Sequence, residues 1–387
     1  MKRQSLAGWL SLALLIAASS GCASTPIHAP AIQTSTLRAP TLVPTVPTLP
    51  APSSLTRLTM GTPRAAHTAT LLADGRILIV GGFRGNEETI GEAELFDPAL
   101  GAFRLLGPML DPRVGHTATR LQDGRVLIVG GWSNHQRVDT VEIFDPATET
   151  FKRLGRLNGP RADHTATLLA DGRVLIAGGF EARNAPRAVA EVFDPRANIF
   201  TPVGALGVPR SGHTATLLAD GRVLIAGGTL AGDKVTASLE IFDPASNVFT
   251  AARDLAIRRR KHAAVMLADG RVLIVGGTDE RDWAYPYDST EIYNPATGAL
   301  GPGPRLNASR FKLADAVVAL GNGDVLVGGG AQQIEILDPR RMAFGAPQKL
   351  DADYFFSTAT VLADGGALIA GGYDRKIQAT ASAWLYR

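Results

Sequence analysis

One block is written into this chain seven times, and that repetition constrains the fold more than any other feature. His-Thr-Ala-Thr-Leu-Leu-Ala-Asp-Gly-Arg-Val-Leu-Ile-x-Gly-Gly recurs with small changes. Its turn falls at Asp74, Asp123, Asp171, Asp220, Asp269, Asn322 and Asp364, spaced 49, 48, 49, 49, 53 and 42 residues apart. Each block is followed by Glu-x-Phe-Asp-Pro, with aromatics at Phe96, Phe144, Phe193 and Phe242 and weaker copies at Tyr293 and Leu337. A second apolar residue lies seven positions on, at Phe103, Phe151, Phe200, Phe249, Leu300 and Phe344. A unit this size cannot bury both its faces alone, so neighbours must stack.

Each unit reads as four short strands. The His-Thr-Ala-Thr run and the Val-Leu-Ile run flank Asp-Gly, the preferred pair for a two-residue hairpin. Glu-x-Phe is the third strand, Asp-Pro suits a type I turn, and the second aromatic sits on the fourth. The predicted fold is all-β, a ring of four-stranded antiparallel blades. The seventh unit ends at Trp384-Leu385-Tyr386 without a fourth strand, while Leu55-Thr56-Arg57-Leu58 aligns with Phe103-Arg104-Leu105-Leu106. The N-terminal strand is therefore expected to complete the last of seven blades and close the ring, leaving no free edge. Composition agrees. Hydrophobic residues make up 45%, charged residues 19%, and 42 glycines and 24 prolines suit neither a disordered chain nor a helical bundle.

The Gly-Gly doublet, the following aromatic and the large residue seven later make residues 55–387 resemble a kelch repeat. Phe stands where kelch usually has its second Trp, and the sixth unit has a very short loop after Gly329-Gly330. The resemblance implies a seven-bladed kelch-type β-propeller. It also implies a non-catalytic interaction scaffold, with a protein or carbohydrate as ligand. A few kelch propellers are enzymes. The galactose-oxidase type needs a copper site with a cysteine-crosslinked tyrosine, and the chain's one cysteine, Cys22, stands in its leader. An epimerase or mutarotase would need acid/base groups in the channel mouth, for which Asp315, Lys312 and Tyr354, where units six and seven depart from the repeat, are the candidates. No other cofactor is expected, and neither a P-loop, a dinucleotide fingerprint nor a nucleophile elbow is present.

Residues 1–21 read as an export signal: Lys2 and Arg3, an apolar run from Leu6 to Ala18, then small residues before Cys22. Gly21-Cys22 resembles a bacterial lipobox, with Ser19 where leucine is usual. That implies lipidation at Cys22 and a membrane anchor. With Ala23 and Ser24 following, the outer membrane is expected; ordinary cleavage to a periplasmic or secreted soluble protein is the alternative. Residues 22–54 carry seven prolines among Ser, Thr and Ala and read as an extended tether. Net charge is +3, including Lys2 and Arg3, too little for nucleic-acid binding.

The Asp-Gly and Asp-Pro turns fall on one face of such a ring and vary little. Loops between second and third strands fall on the other and differ in every copy, which is how binding surfaces are distributed. Arg64, Arg113, Arg161, Arg210 and Arg259 recur at one position, with Lys312 sixth and Tyr354 breaking the series. They form either a cationic collar for an anionic ligand or partners for the recurring Glu94, Glu142, Glu191, Glu240, Glu291 and Glu335. His67, His116, His164, His213 and His262 share another position, replaced by Asp315 and Ser357. Spread over separate blades, they suit hydrogen bonding between blades rather than a metal. Trp132, Trp283, Tyr285 and Tyr287, in the variable loops, are either aromatic anchors for a ligand or side chains tucked onto a neighbouring loop.

Overall fold

The computed structural model describes residues 54–387 except 86–87 and 182–184; the expected signal segment, Cys22 and the expected tether up to residue 53 lie outside the described residues. In the first blade, strands Thr68–Leu71, Ile77–Val80, Ala93–Asp97 and Ala102–Leu106 pair antiparallel in sequence order. The next four blades repeat this plan from inner strands Thr117–Arg120, Thr165–Leu168, Thr214–Leu217 and Ala263–Met266. Blade 6 starts from Val317–Ala319, and its outer edge is split into Ala343–Phe344 and Gln348–Lys349. In blade 7, Thr358–Val361, Ala367–Ala370 and Ser382–Tyr386 are completed by the N-terminal Leu55–Thr59, in register from Leu55 opposite Tyr386 to Thr59 opposite Ser382. The ring of seven blades closes as the repeat arithmetic requires.

The hairpin loop differs in one detail from expectation. Leu72 and Arg76 close it, so Ala73-Asp74-Gly75 is a three-residue loop, not a two-residue one. Gly75 takes φ 88°, the left-handed residue that a three-residue hairpin needs. Asp74 accepts the Arg76 N–H at 3.0 Å and the Arg76 guanidinium at 2.8 Å, so Asp-Gly-Arg is a self-contained turn.

Second strands are buried on both faces, which explains why they read Val-Leu-Ile without alternation. Their side chains build seven cores, each shared by two neighbouring blades. Leu78, Val80 and Leu95 of blade 1, for instance, pack on Val126, Ile128 and Phe144 of blade 2. The two repeated aromatics of a unit sit directly opposite on strands three and four, with ring centroids 4.7–4.9 Å apart.

Candidate functional site at the channel mouth

The inner strands surround a central channel. Each is preceded by one residue in the left-handed region, a ring of seven: Ala66 (φ 50°), Gly115 (62°), Asp163 (57°), Gly212 (55°), Lys261 (53°), Lys312 (59°) and Phe356 (52°). Backbone bonds stitch this ring across blades, among them Asp163 N–H to Gly115 O (3.1 Å), Gly212 N–H to Asp163 O (2.9 Å) and Ala66 N–H to Phe356 O (2.9 Å). Such backbone costs of order 1 kcal/mol or more at each non-glycine residue and persists where surrounding structure enforces it. Because ring residues are held at the rim, their side chains differ freely: glycine, alanine, aspartate, lysine and phenylalanine share one geometry.

The arginines form no open collar. Arg64, Arg113, Arg161, Arg210 and Arg259 are fully buried, and each meets the Glu of its own third strand at 2.5–2.9 Å. Each also donates to two carbonyls of its blade, as Arg210 does to Gly227 O and Ser238 O, both at 2.9 Å. The carboxylates in turn accept N–H groups from the link between blades; Glu240 takes those of Gly207 (2.7 Å) and Val208 (3.1 Å). Burial pulls the guanidinium pKa down, Arg161 to about 10, against the pull of its glutamate, so Arg161 stays charged at neutral pH. The unit is a closed clamp on the blade link, the pairing that the matched Arg and Glu repeats offered as the alternative to a collar.

The sixth member of the series is Arg310, not Lys312. Arg310 is fully buried and meets Glu335 at 2.5 Å. Arg310 lies twelve residues before its hairpin turn at Asn322, where Arg64 lies ten before Asp74, so counting back from the turn lands on Lys312 instead. Lys312 therefore falls on the left-handed ring, two residues beyond the clamp. In blade 7 Tyr354 does occupy the arginine position, buried, with its hydroxyl donated to Asp351. Burial and that neighbour raise its pKa.

The histidines hold blades together. Each Nε2 is hydrogen-bonded to a threonine hydroxyl of the preceding blade: His67 to Thr358, His116 to Thr68, His164 to Thr117 and His213 to Thr165 at 3.0 Å, and His262 to Thr214 at 3.1 Å. Burial depresses all five, His116 and His213 to about 3, so the ring is neutral. Where blade 5 has Ala263 instead of threonine, blade 6 has Leu313 in the histidine slot, and the two share one apolar core. Asp315, which sequence aligned with the histidines, stands in the channel instead.

The aromatics divide. Trp132 follows Gly130-Gly131 and exchanges backbone bonds with Val114, a repeat position shared by Phe83, Phe180 and Tyr373 rather than a free loop site. The Arg137 guanidinium lies 3.8 Å over its ring. Trp283 folds from the long blade 5 loop over the shortened blade 6 and packs edge-on against Phe311 and Phe355. Under it lies the Lys312 ammonium, 3.9 Å from its ring, donating to the Tyr373 hydroxyl and boxed by Phe311, Phe355 and Phe356. Burial, reinforced by Lys261, pulls the Lys312 pKa down to about 6. Tyr285 is 49% exposed beneath the Arg281 guanidinium at 3.5 Å, and Tyr287 is half-buried, 5.6 Å from Arg259.

Inside this rim is a cavity of about 550 Å³, formed by the inner strands and the loops of blades 4 and 5. Its charged lining is Asp163, Asp233, Glu280, Asp282 and Asp315 against Arg260 and Lys261. Lys261 is bound to Asp282 at 2.8 Å, with Arg260 3.8 Å from the same carboxylate, and Glu280 to Arg258 at 3.2 Å; five carboxylates against two cations leave the lining acidic. An anion-attracting mouth is not what the residues build. Sequence reasoning missed Arg310, Leu313, the left-handed ring and this acidic excess. The first two were readable as an Arg-x-x-Leu variant of Arg-x-x-His; the others needed coordinates.

Such a ring is a β-propeller with its repeated polar groups consumed internally and its individuality gathered at one channel mouth. The kelch motif family model matches residues 112–158, the whole of blade 2 with its link. With the seven-bladed ring around it, that match makes the chain a kelch-repeat β-propeller protein. A solved structure of a fungal alcohol oxidase of the AA5 family, in complex with copper, matches with a TM-score of 0.69 at 17% identity, covering 86% of this chain and 76% of that one. That likeness is one of fold. The comparison with curated proteins gives no match. Nor do the residues here fit a copper centre: among the described residues no three His, Cys, Asp or Glu side chains converge on one point, and the ring histidines each engage a threonine.

Proposed function

We propose that this protein is a non-catalytic binding module that takes a protein or carbohydrate ligand at the channel mouth on its varied face. The observation carrying this reading is the contrast between clamp and rim. Six Arg–Glu clamps and five His–Thr bridges are spent on holding blades, whereas equivalent rim positions carry unlike side chains around an open cavity. The acid/base trio of the epimerase alternative does not converge, which also favours a binder. Lys312 is turned onto Tyr373 and Tyr354 onto Asp351, leaving Asp315 alone in the cavity.

Gly212→Phe tests the site. Phe356 already occupies the same left-handed ring position, and a Cβ on Gly212 meets nothing within 4 Å. The variant should fold and lose ligands captured by the wild type from panels of glycans and peptides. Undiminished binding, a footprint on the Asp-Gly face, or turnover of a bound sugar would each overturn the reading. The address is proposed from sequence alone: an exported lipoprotein held through Cys22, with Cys22→Ala moving it from the membrane fraction to the soluble one.

A further inference from the structure

We propose that the channel binds a primary ammonium group, received by the carboxylate of Asp315. The inference rests on the mouth being the ligand site and adds the chemical class of what enters it. Its origin is the one interruption in the inner ring. The extra residues of blade 6 turn the chain at Leu313–Ala316, closed by the Ala316 N–H on Leu313 O at 2.6 Å. Leu313 fills the slot between blades that a histidine fills elsewhere, and Ala314 and Asp315 are pushed into the lumen. The Asp315 carbonyl accepts the Ala359 N–H of blade 7 at 2.6 Å, so the bulge is pinned from both sides. Where the repeat breaks, a carboxylate enters the channel.

That carboxylate has nothing to bind. Among the described residues no donor reaches it, although its side chain is open to the cavity. The channel walls around it raise its pKa, the mark of a charge placed without compensation. Of the other carboxylates lining the cavity, Glu280 is paired with Arg258 and Asp282 with Lys261, while Asp233 stands exposed on the blade 4 loop at the mouth; the five histidines nearby are neutral. Among the described residues no three His, Cys, Asp or Glu side chains converge there, so calcium or magnesium, which need six or more ligands, would find too few. An ammonium, with three donors and one charge, suits one carboxylate plus the neutral oxygens of the wall. A cavity of about 550 Å³ admits an alkyl diamine or an amino sugar.

Calorimetric titration of the full chain with 1,5-diaminopentane and glucosamine, beside 1,5-pentanediol and glucose, tests this. The amines should bind about ten- to hundredfold more tightly than their hydroxyl counterparts, the scale of a charged hydrogen bond. Asp315→Asn should erase that difference while leaving the melting temperature unchanged or higher. Equal binding of diamine and diol by the wild type overturns the proposal without recourse to any variant, as does an Asp315→Asn protein that binds diamine normally. A ligand lost in Gly212→Phe but untouched by Asp315→Asn would leave the mouth as the binding site and remove the ammonium from it. Amine binding that needs Asp315 yet survives Gly212→Phe would do the opposite.

Discussion

Glu240→Gln removes one charge from a site that shows no solvent to its partner. Arg210 is fully buried, and its guanidinium touches the Glu240 carboxylate at 2.6 Å, the Ser238 hydroxyl at 2.6 Å and three carbonyls. Glu240 also accepts two link N–H groups. A glutamine amide keeps one acceptor but turns an NH2 toward either the guanidinium or those N–H groups, leaving donors face to face. Breaking a buried pair from one side costs about 3–5 kcal/mol, because the remaining charge is stranded. For the described part of the chain, about 330 residues at ~2 cal/mol/K each, about 4 kcal/mol lowers Tm by about 6 °C. Differential scanning calorimetry, with urea denaturation for ΔG, measures it. Glu149→Gln is the control: its ion pairs with Arg76 and Arg104 lie on the surface, where loss is worth ~1 kcal/mol or less. If the two variants lose equal stability, the clamp is not what holds the blade links.

Lys312→Met should stabilise the fold at pH 7 and flatten its pH dependence. A lysine at about 6 folded and near 10.5 unfolded makes the wild type gain stability as pH rises between those values and lose it on acidification; an unchanged slope in the variant, read by thermal melts from pH 6 to 9, refutes the assignment. Since the folded Lys312 is mainly uncharged at pH 7, what methionine forgoes there is chiefly the hydrogen bond with the Tyr373 hydroxyl, which limits the gain. The pair Thr214→Ala with His262→Leu copies the Ala263–Leu313 pair and should cost under about 1.5 kcal/mol, whereas Thr214→Ala alone, which strands a buried ring nitrogen, should cost about 1–3 kcal/mol. Since buried histidines refuse protons that unfolded ones accept, stability should fall as pH drops below 6.5 toward 3, and the double variant should show a shallower fall in acid melts. Deleting residues 1–50 should leave the melting temperature unchanged, while deleting 1–60 removes Leu55–Thr59 and the Arg57–Asp351 ion pair, so aggregation or early melting is expected. Equal melts for both truncations would refute closure by the N-terminal strand.

Much of the fold was legible because its determinants are local and written many times. Asp-Gly, the aromatic seven residues after another, and the all-apolar second strand each describe a few adjacent residues. Seven copies average out the accidents of any one. Even the closing strand could be read, since a missing fourth strand at one end matched a spare one at the other. The site was less legible. The Glu series counted correctly, but the Arg series took Lys312 for Arg310 and left clamp and collar open; that choice depends on burial, which arises between segments about thirty residues apart.

Sequence by itself determined the blade, the blade number, the closure and the face on which the copies differ, because hydrogen bonding and hydrophobic pattern act over neighbours along the chain. Tertiary structure alone decided which charges remain unpaired. Arg64 and its counterparts vanish into paired interiors; Lys312 and Trp283 fill the space left by a short loop; Asp315 is pushed into the lumen by two residues more than the repeat allows. Free charge is what is left after every buried partner has been found, and partners meet only when the ring closes.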